Sequence, residues 1–207
     1  CSSNPNYTYV PDDNFAQALI DLGYDDVIDD YVLTANISAV TSLDVSEKEI
    51  SDLTGIEGFT ALTTLYSHGN QLTSLDVSAN TAITVLACDN NAITALDVSN
   101  NTGLTTLNCN RNQLTALDVS ANPALTVLSC YGNDLTTLDV SANPALTSLS
   151  CSDNQLTNLD VSNNTGLTTL TCNRNQFTNL DVSNNTLLEY FSTQNNNITS
   201  LDVSSNT

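Results

Sequence analysis

The sequence predicts a β-rich solenoid, in which right-handed coils stack around a parallel sheet behind a small α-helical N-terminal cap. Two observations carry this prediction. A unit of 21 residues recurs without a gap, as in residues 117–137, LDVSANPALTVLSCYGNDLTT, whereas residues 1–39 do not repeat. Because a short repeating unit can bury its apolar side chains only against the next unit, the units are expected to stack as coils of one elongated domain.

The repeating units share columns of equivalent residues, numbered here from position 1 to position 21. The units begin at Leu62, Ile83, Leu104, Leu125, Leu146, Leu167 and Leu188. Position 4 is Leu or Phe, position 9 is always Asn, and position 11 is Leu, Ile or Phe. Positions 3–7 alternate between inward and outward side chains, which predicts a short strand in each coil. The position-9 amides are expected to satisfy backbone groups at a turn and to link neighbouring coils.

The second half of each unit predicts an extended or turn-like back without helices. A further alternation, Leu-Asp-Val-Ser, places Leu and Val inward, and a second Asn column follows it. Proline after Asn122 and after Asn143 disfavours α-helix at those points. The expected molecule is thin, two-sided and rich in strands.

This pattern, LxxLxCxxNxLTxLDVSxN, resembles the leucine-rich-repeat family over about four-fifths of the chain. Residues 50–62 resemble the 22-residue repeat of internalin-type bacterial proteins. The 21-residue units look most like a subtype found in secreted and surface proteins of Bacteroidetes bacteria. The resemblance implies a module that binds its partners through the concave face of the sheet.

The sequence divides into residues 1–39, an N-terminal tether and helical cap, and residues 40–207, a leucine-rich-repeat solenoid of about eight coils. A first helix is predicted from Asp12 to Gly23, with Phe15, Ala18, Leu19 and Leu22 on one stripe. Residues 24–36 predict a turn and a second short helix. A polar-faced cap of this kind would shield the first coil from water.

The charge balance excludes some classes of partner. The chain has 23 acidic and three basic residues, which gives a formal net charge of −20. Such a surface repels nucleic acids and anionic membranes. No apolar run of about 18 residues is present, so no transmembrane segment is predicted. The N-terminal Cys1, followed by small polar residues, is typical of a bacterial lipoprotein, and an arbitrary starting point within a longer chain is the alternative interpretation.

Cysteines form a further column at position 6. They are Cys88, Cys109, Cys130, Cys151 and Cys172. Zinc sites use clustered pairs such as CxxC, and neighbouring strands in register offer poor disulfide geometry. We therefore predict a ladder of buried thiols. The chain has one histidine and no nucleophile–base pair or glycine-rich phosphate loop, so no enzymatic activity is predicted.

An acidic column at position 15 is the candidate metal site. It contains Asp76, Asp97, Asp118, Asp139, Asp160, Asp181 and Asp202. Carboxylates stacked about 5 Å apart repel one another by roughly 1–3 kcal/mol per pair. Hydrogen bonds from the serine two residues later would offset this repulsion, and bound Ca²⁺ is the alternative. No cofactor is expected otherwise.

The candidate binding residues lie where the columns stop being uniform, on the concave face and its rim. They are Tyr66, His68, Asp89, Asn108, Asn110, Arg111, Ser129, Tyr131, Ser150, Ser152, Thr171, Asn173, Arg174 and Tyr190. The sequence thus predicts a non-catalytic module, secreted or on the outer-membrane surface, that binds protein or glycan. The alternative is a structural or adhesion spacer, or an accessory lipoprotein subunit of an outer-membrane complex, stiffened by cations on the Asp column.

Overall fold

The computed structural model describes residues 6–206, and within this range one parallel sheet runs the length of the repeats. Its strands are β3 (Ser42–Asp44), β4 (Thr64–Tyr66), β5 (Val85–Ala87), β6 (Thr106–Asn108), β7 (Val127–Ser129), β8 (Ser148–Ser150), β9 (Thr169–Thr171) and β10 (Tyr190–Ser192). Each strand pairs with the next in chain order, with equivalent positions opposite each other, as in Leu86 and Leu107. The predicted parallel β-solenoid is confirmed.

The strand pattern follows from one inward residue in each coil. The middle residue of every strand from β4 to β9 is a leucine with no exposed surface, whereas the residues on either side of it face outward. Leu62 and Leu72, at positions 1 and 11, are also fully buried, and their equivalents are buried in every unit except the last, where Ile198 is partly buried. Because these positions recur every 21 residues, their side chains stack into one continuous apolar core.

The position-9 asparagines join each coil to the one before it. In Asn133, the side-chain Nδ2 donates to the carbonyls of Cys109 (3.1 Å) and Cys130 (3.0 Å). Its Oδ1 accepts from the amide of Leu114 at 3.0 Å. One side chain thus satisfies backbone groups of two successive coils, as the sequence analysis predicted.

The back of the solenoid is made of turns and hydrogen-bonded asparagines. In Asn122, representative of the second Asn column, Nδ2 donates to the carbonyls of Val98 (3.0 Å) and Asn101 (2.9 Å). Leu and Val of the Leu-Asp-Val-Ser segments are buried as predicted from Leu75 to Val182, whereas Leu201 and Val203 of the last segment are exposed. The predicted extended or turn-like back is confirmed, and among the described residues this side shows one isolated bridge, between Asp76 and Asp97. A 3₁₀-helix (Ile56–Gly58) occurs in the 22-residue repeat.

The cap combines helices with a small sheet. Helix α1 (Asp13–Asp21) is confirmed, and the Asp12 side chain caps it by accepting from the amides of Asn14 and Phe15. Strands β1 (Tyr7–Tyr9) and β2 (Tyr31–Leu33) pair antiparallel, and helix α2 (Thr34–Ile37) follows.

The structure corrects the cap prediction at two places. The cap is not purely helical, since the sequence analysis missed the pairing of β1 with β2. Leu22 is 44% exposed, because α1 ends at Asp21 and Leu22 leaves the buried stripe. Cys1 lies outside the described residues.

We expect Asn133→Ala to lower the free energy of unfolding by about 3 kcal/mol, because it leaves two buried carbonyls and one amide without their partner. Denaturant titration followed by circular dichroism measures the loss. Asn158→Ala, which changes an exposed asparagine, is the matched control. A loss below about 0.5 kcal/mol for Asn133→Ala would contradict the linking role.

Candidate binding surface

The sheet face is the candidate binding surface. We use this name for the outward residues at positions 3, 5 and 7 of each coil, together with the rim residue at position 8. Strand geometry creates the face, because the alternation that buries position 4 and position 6 turns positions 3, 5 and 7 toward solvent. The sequence-predicted binding residues all belong to these positions, so the fold brings them onto one side of the molecule.

The residues of the sheet face differ in their access to solvent. Exposed members are Tyr66, Arg111, Arg174 and Tyr190. Half-buried members are His68, Asp89, Asn108, Ser129, Tyr131, Ser150, Thr171 and Asn173. Asn110 and Ser152 are buried, and each has an exposed fraction of 8%. These two therefore offer a ligand little surface, and their role in binding stays a prediction.

Asn110 and Ser152 hold the neighbouring coil instead. Asn110 Oδ1 accepts from Ser129 Oγ at 2.8 Å and from the amide of Tyr131 at 2.9 Å. Ser152 Oγ accepts from the amide of Asn173 at 3.0 Å. These bonds fix the strand ends on which the exposed side chains stand.

Near the cap, the sheet face borders a cavity of about 440 Å³ between α1 and the first coils. His68 Nδ1 lies 2.9 Å from Ser46 Oγ. Lys48 Nζ lies 3.6 Å from Asp21 of α1, in an exposed ion pair. The Ser46 hydroxyl and amide hold the pKa of Asp44 below its ordinary value, and burial opposes this shift. The sequence analysis missed Ser46 and Asp44 because they precede the regular repeat.

In the middle of the sheet face, polar side chains hold one another in place. Asp89 accepts from Asn108 Nδ2 at 2.9 Å and from Asn90 Nδ2 at 2.7 Å. The Arg111 guanidinium lies over the Tyr131 ring, with 5.4 Å between its Cζ and the ring centroid. Three successive coils thus present a carboxylate, two amides and a guanidinium that is stacked on an aromatic ring.

Toward the C-terminal end, the sheet face carries small hydroxyl side chains. Thr171 Oγ1 donates to Ser150 Oγ at 2.9 Å. Arg174 Nη1 lies 3.2 Å from Asp153 Oδ1, and both side chains are exposed. Tyr190, which is 58% exposed, stands at the start of β10.

The rim at position 8 has a backbone feature that the sequence analysis did not identify. In the coils of the described range its residues have left-handed φ angles, and they are Glu47 (56°), Gly69 (66°), Asn90 (54°), Arg111 (48°), Gly132 (68°), Asp153 (53°), Arg174 (51°) and Asn195 (57°). Glycine and asparagine tolerate this conformation best. Their occurrence at Gly69, Asn90, Gly132 and Asn195 was the signal in the sequence.

The cysteine column forms the predicted ladder of buried thiols. Its cysteines are free, and none has exposed surface. Cys109 and Cys172 each place Sγ 3.6 Å from the carbonyl oxygen of position 5 in the next coil. Burial raises the pKa of the Cys172 thiol to about 11, and it raises the pKa of the other four thiols well above the ordinary value.

The Asp column is exposed and bonded to serine, as the sequence analysis predicted. Asp118 Oδ1 accepts from the amide of Ser120 at 2.9 Å, and this contact recurs along the column. The Ser120 hydroxyl and amide hold the pKa of Asp118 below its ordinary value. Residues 6–206 contain no group of three or more His, Cys, Asp or Glu side chains arranged to hold a metal ion.

Within residues 6–206, no helix combines the length and the apolar character needed to cross a membrane. Basic side chains are scarce, and within residues 6–206 the ion pairs join Lys48 to Asp21 and Arg174 to Asp153. Arg111 is the basic residue of this range that forms no ion pair.

We expect the ladder thiols to resist alkylation in the folded protein, because the thiolate is the reactive form and burial disfavours it. A Cys1→Ser variant leaves the five ladder cysteines as the thiols to be counted. Iodoacetamide at neutral pH should label none of them in the native state and all of them after unfolding in guanidinium, as read by mass spectrometry. Rapid labelling of the native protein would contradict the buried ladder.

We expect Ser120→Ala to raise the pKa of Asp118 toward its ordinary value of 3.8, because the hydroxyl is the largest cause of its lowered pKa. A carboxylate whose pKa is lowered by folding stabilises the fold at pH above 3.8, and this stability is lost as the pH falls through the folded-state pKa. Carboxyl ¹³C NMR measures the shift, with Ser183→Ala as a distant control. An unchanged Asp118 pKa would contradict the assignment.

Comparison with known proteins places the fold among bacterial leucine-rich-repeat proteins. No protein-family model matches the chain. Internalin J of Listeria monocytogenes serotype 4b (strain F2365) is 47% identical over 72 residues, which are 35% of this chain and 8% of that protein. The chain therefore spans a small part of this curated relative.

Solved structures extend the similarity over the whole described range. A functional domain of InlJ from Listeria monocytogenes, described as including a cysteine ladder, is 40% identical, with a TM-score of 0.79 over 96% of this chain and 50% of that one. A leucine-rich-repeat protein of Leptospira interrogans is 26% identical, with a TM-score of 0.77 over 81% of this chain and 46% of that one. Internalin C2 of Listeria monocytogenes, 24% identical, has a TM-score of 0.81 over 99% of this chain and 94% of that one, and supports the fold alone.

The molecule is therefore a leucine-rich-repeat solenoid with repeats of about 21 residues, and it is similar in sequence and fold to internalins. Internalin leucine-rich-repeat domains, which this chain resembles, are non-catalytic. The InlJ domain and the Leptospira interrogans protein each extend well beyond the length of this chain.

Proposed function

We propose that the chain binds a protein partner at a bacterial cell surface through its sheet face, around Tyr66, His68 and Tyr131. One observation carries this proposal. On the strand side of each coil, the columns that repeat almost without change, at positions 4 and 9, are buried or engaged in hydrogen bonds between coils, whereas the columns that vary face solvent on the sheet face. The scaffold does not need that variation, so the variable side chains are free to serve recognition.

The chemistry of the sheet face supports a protein partner near the cap and in the middle of the sheet. Tyrosine and arginine are enriched at the energetic centres of protein interfaces. Tyr66 is exposed, Tyr131 is half-buried, and Arg111 lies against the Tyr131 ring. Hydrogen bonds between coils fix the strand ends that carry these groups, which limits the ordering cost of binding.

Glycan binding is the second candidate, and the C-terminal half of the sheet face favours it. Here β8 and β9 present Ser148, Ser150, Thr169 and Thr171 beside one another, with no aromatic side chain on these two strands. Such hydroxyls suit a polar, hydrated interface with sugar hydroxyls. A spacer without a ligand, or an accessory subunit of an outer-membrane complex, is the structural alternative to both candidates.

Attachment to the surface is a separate part of the proposal. Listeria internalins resemble this chain, which supports a secreted or surface location. A lipid on Cys1 and an origin in Bacteroidetes remain predictions from the sequence. Intact-mass measurement of the protein isolated from its native membrane tests the lipid, since an acylated cysteine adds the mass of its fatty acids.

We expect alanine at Tyr66, His68 and Tyr131 together to weaken binding by about 100-fold, because truncating interface aromatic residues commonly costs about 2 kcal/mol or more. An array of extracellular proteins and glycans identifies the partner, and calorimetry with the wild-type and variant chains measures the affinity. Tyr7→Ala in the cap, which truncates a tyrosine exposed at 47%, is the matched control. If the triple variant binds like the wild type, the sheet face is not the binding site.

A further inference from the structure

The arginines of this chain occupy equivalent places in two copies of one sequence motif. The motif CNRNQ occurs at residues 109–113 and again at residues 172–176, and it contains both arginines of the sequence. The two copies are 63 residues, or three coils, apart. In both copies the asparagine before the arginine is hydrogen-bonded to the next coil in the same way. The arginines therefore differ only in what surrounds their side chains.

The backbone at both arginines is strained. Arg111 has a φ of 48° and Arg174 a φ of 51°, in a column where glycine and asparagine also occur. A long side chain with a Cβ atom is disfavoured in this left-handed conformation. Nothing in the hydrogen bonding of the turn requires arginine, because Gly132 and Asn195 occupy the same position in other coils.

The Arg111 side chain lies extended over the next coil. A Cβ atom at Gly132 would approach Arg111 Cγ to 3.3 Å, so the glycine leaves room for the aliphatic part of the arginine. The guanidinium lies over the Tyr131 ring at 5.4 Å and donates from Nη1 to Asn90 Oδ1 at 3.4 Å. Arg111 remains exposed in this position.

Arg174 provides an internal comparison. Its Nη1 lies 3.2 Å from Asp153 Oδ1, so the Arg174 guanidinium already forms an ion pair with a carboxylate of the same chain. The residue equivalent to Tyr131 in the coil after Arg174 is Gln194, which offers no ring to stack on. Within residues 6–206, the contacts of the Arg111 guanidinium are to a neutral amide and an aromatic ring.

From this arrangement we propose that Arg111, held on Tyr131, binds a carboxylate side chain of the protein partner. The proposal rests on the proposed function and names the group that the sheet face recognises. A guanidinium presents planar paired donors that match a carboxylate, as Asp153 does at Arg174. The asparagine contact and the ring hold the side chain before the ligand arrives, which limits the entropy lost on binding.

The surroundings favour a carboxylate of a protein over other anions. The chain has a net charge of −20, and Asp89 is linked to Asn90, so a doubly charged phosphate is repelled more strongly than a carboxylate. A sugar ring would need a free aromatic face for stacking, but the guanidinium already covers a face of Tyr131. A glutamate or aspartate side chain needs only the exposed donors.

The two arginines make a direct test feasible. An arginine Nε–H NMR spectrum of this chain contains two signals, which Arg111→Lys and Arg174→Lys variants assign. The probe is the capped peptide acetyl-Gly-Glu-Gly-amide, with acetyl-Gly-Gln-Gly-amide as the neutral match. We expect the Glu peptide to shift the Arg111 signal at low salt and high salt to reverse it, whereas Arg174 shifts less and the Gln peptide moves neither signal.

Three results would overturn the proposal. The Arg111 signal could stay unmoved by the Glu peptide, or Arg174 could respond as strongly as Arg111. Inorganic phosphate or methyl glucuronide could shift Arg111 more than the Glu peptide at equal concentration and ionic strength, which would assign the site to a phosphate or to an acidic glycan.

Arg111→Asn separates recognition from a structural role. Asparagine already occupies this rim position at Asn90 and Asn195, so the variant should keep or raise the melting temperature. We expect it to weaken binding of the identified partner at least 10-fold and to reduce the salt dependence of the affinity, with Asn195→Gly as the neutral rim control. A melting temperature several degrees lower would make Arg111 a structural residue and overturn the proposal.

The same measurements distinguish this proposal from the proposed function. If Tyr66 and His68 variants lose the partner while Arg111→Asn binds it normally, the sheet face is the binding site and the carboxylate proposal fails. If none of these variants changes the affinity, the proposed function fails as well.

Discussion

The structure depends on one side-chain amide in every coil from Leu62 onward. Where the chain leaves the strand it turns sharply, and the turn leaves buried carbonyls and amides that no strand partner can reach. Asn133 and its equivalents satisfy these groups, and because each reaches carbonyls 3 and 24 residues earlier, it joins its own coil to the preceding one. A different residue would leave the turn unsatisfied. This requirement explains why position 9 is asparagine in every unit from Leu62 onward.

Once the turn is fixed, the rest of the coil divides into scaffold and surface. The inward leucines and cysteines of each coil pack directly against their equivalents in the neighbouring coils. Because this packing is close, a change in the size of one inward side chain would disturb the next coil. Serine at Ser67 and threonine at Thr193 replace cysteine at the two ends of the ladder. The thiols thus fill space in the core and make weak contacts with the next coil. Residue types vary on the sheet face and at the rim, where residues other than glycine adopt the left-handed backbone conformation.

Most of the solenoid could be predicted because its decisive interactions recur at one spacing. The Asn column, the inward cysteines and the Asp–Ser contacts each involve residues at fixed positions of the unit. The pairing of Tyr7–Tyr9 with Tyr31–Leu33 was not predictable in this way, since the two strands are separated by helix α1 and occur once. Burial of Asn110 was missed because an outward strand position predicts exposure, whereas its amide turns toward Ser129. The left-handed backbone at the rim was not predicted, because arginine and aspartate occupy several positions where this conformation favours glycine.

Register between coils also sets a rule for how this surface can change during evolution. Equivalent positions lie opposite each other in neighbouring strands, so two side chains at the same position of the unit are separated by a whole number of strand spacings of about 4.8 Å. Duplication or deletion of one unit moves every later feature by one such step and leaves the coil contacts intact. Arg111 and Arg174 stand three steps, roughly 14 Å, apart for this reason. Gain or loss of one unit therefore changes the distance between two binding residues by one strand spacing, so the spacing of the groups that the surface can recognise changes in fixed steps.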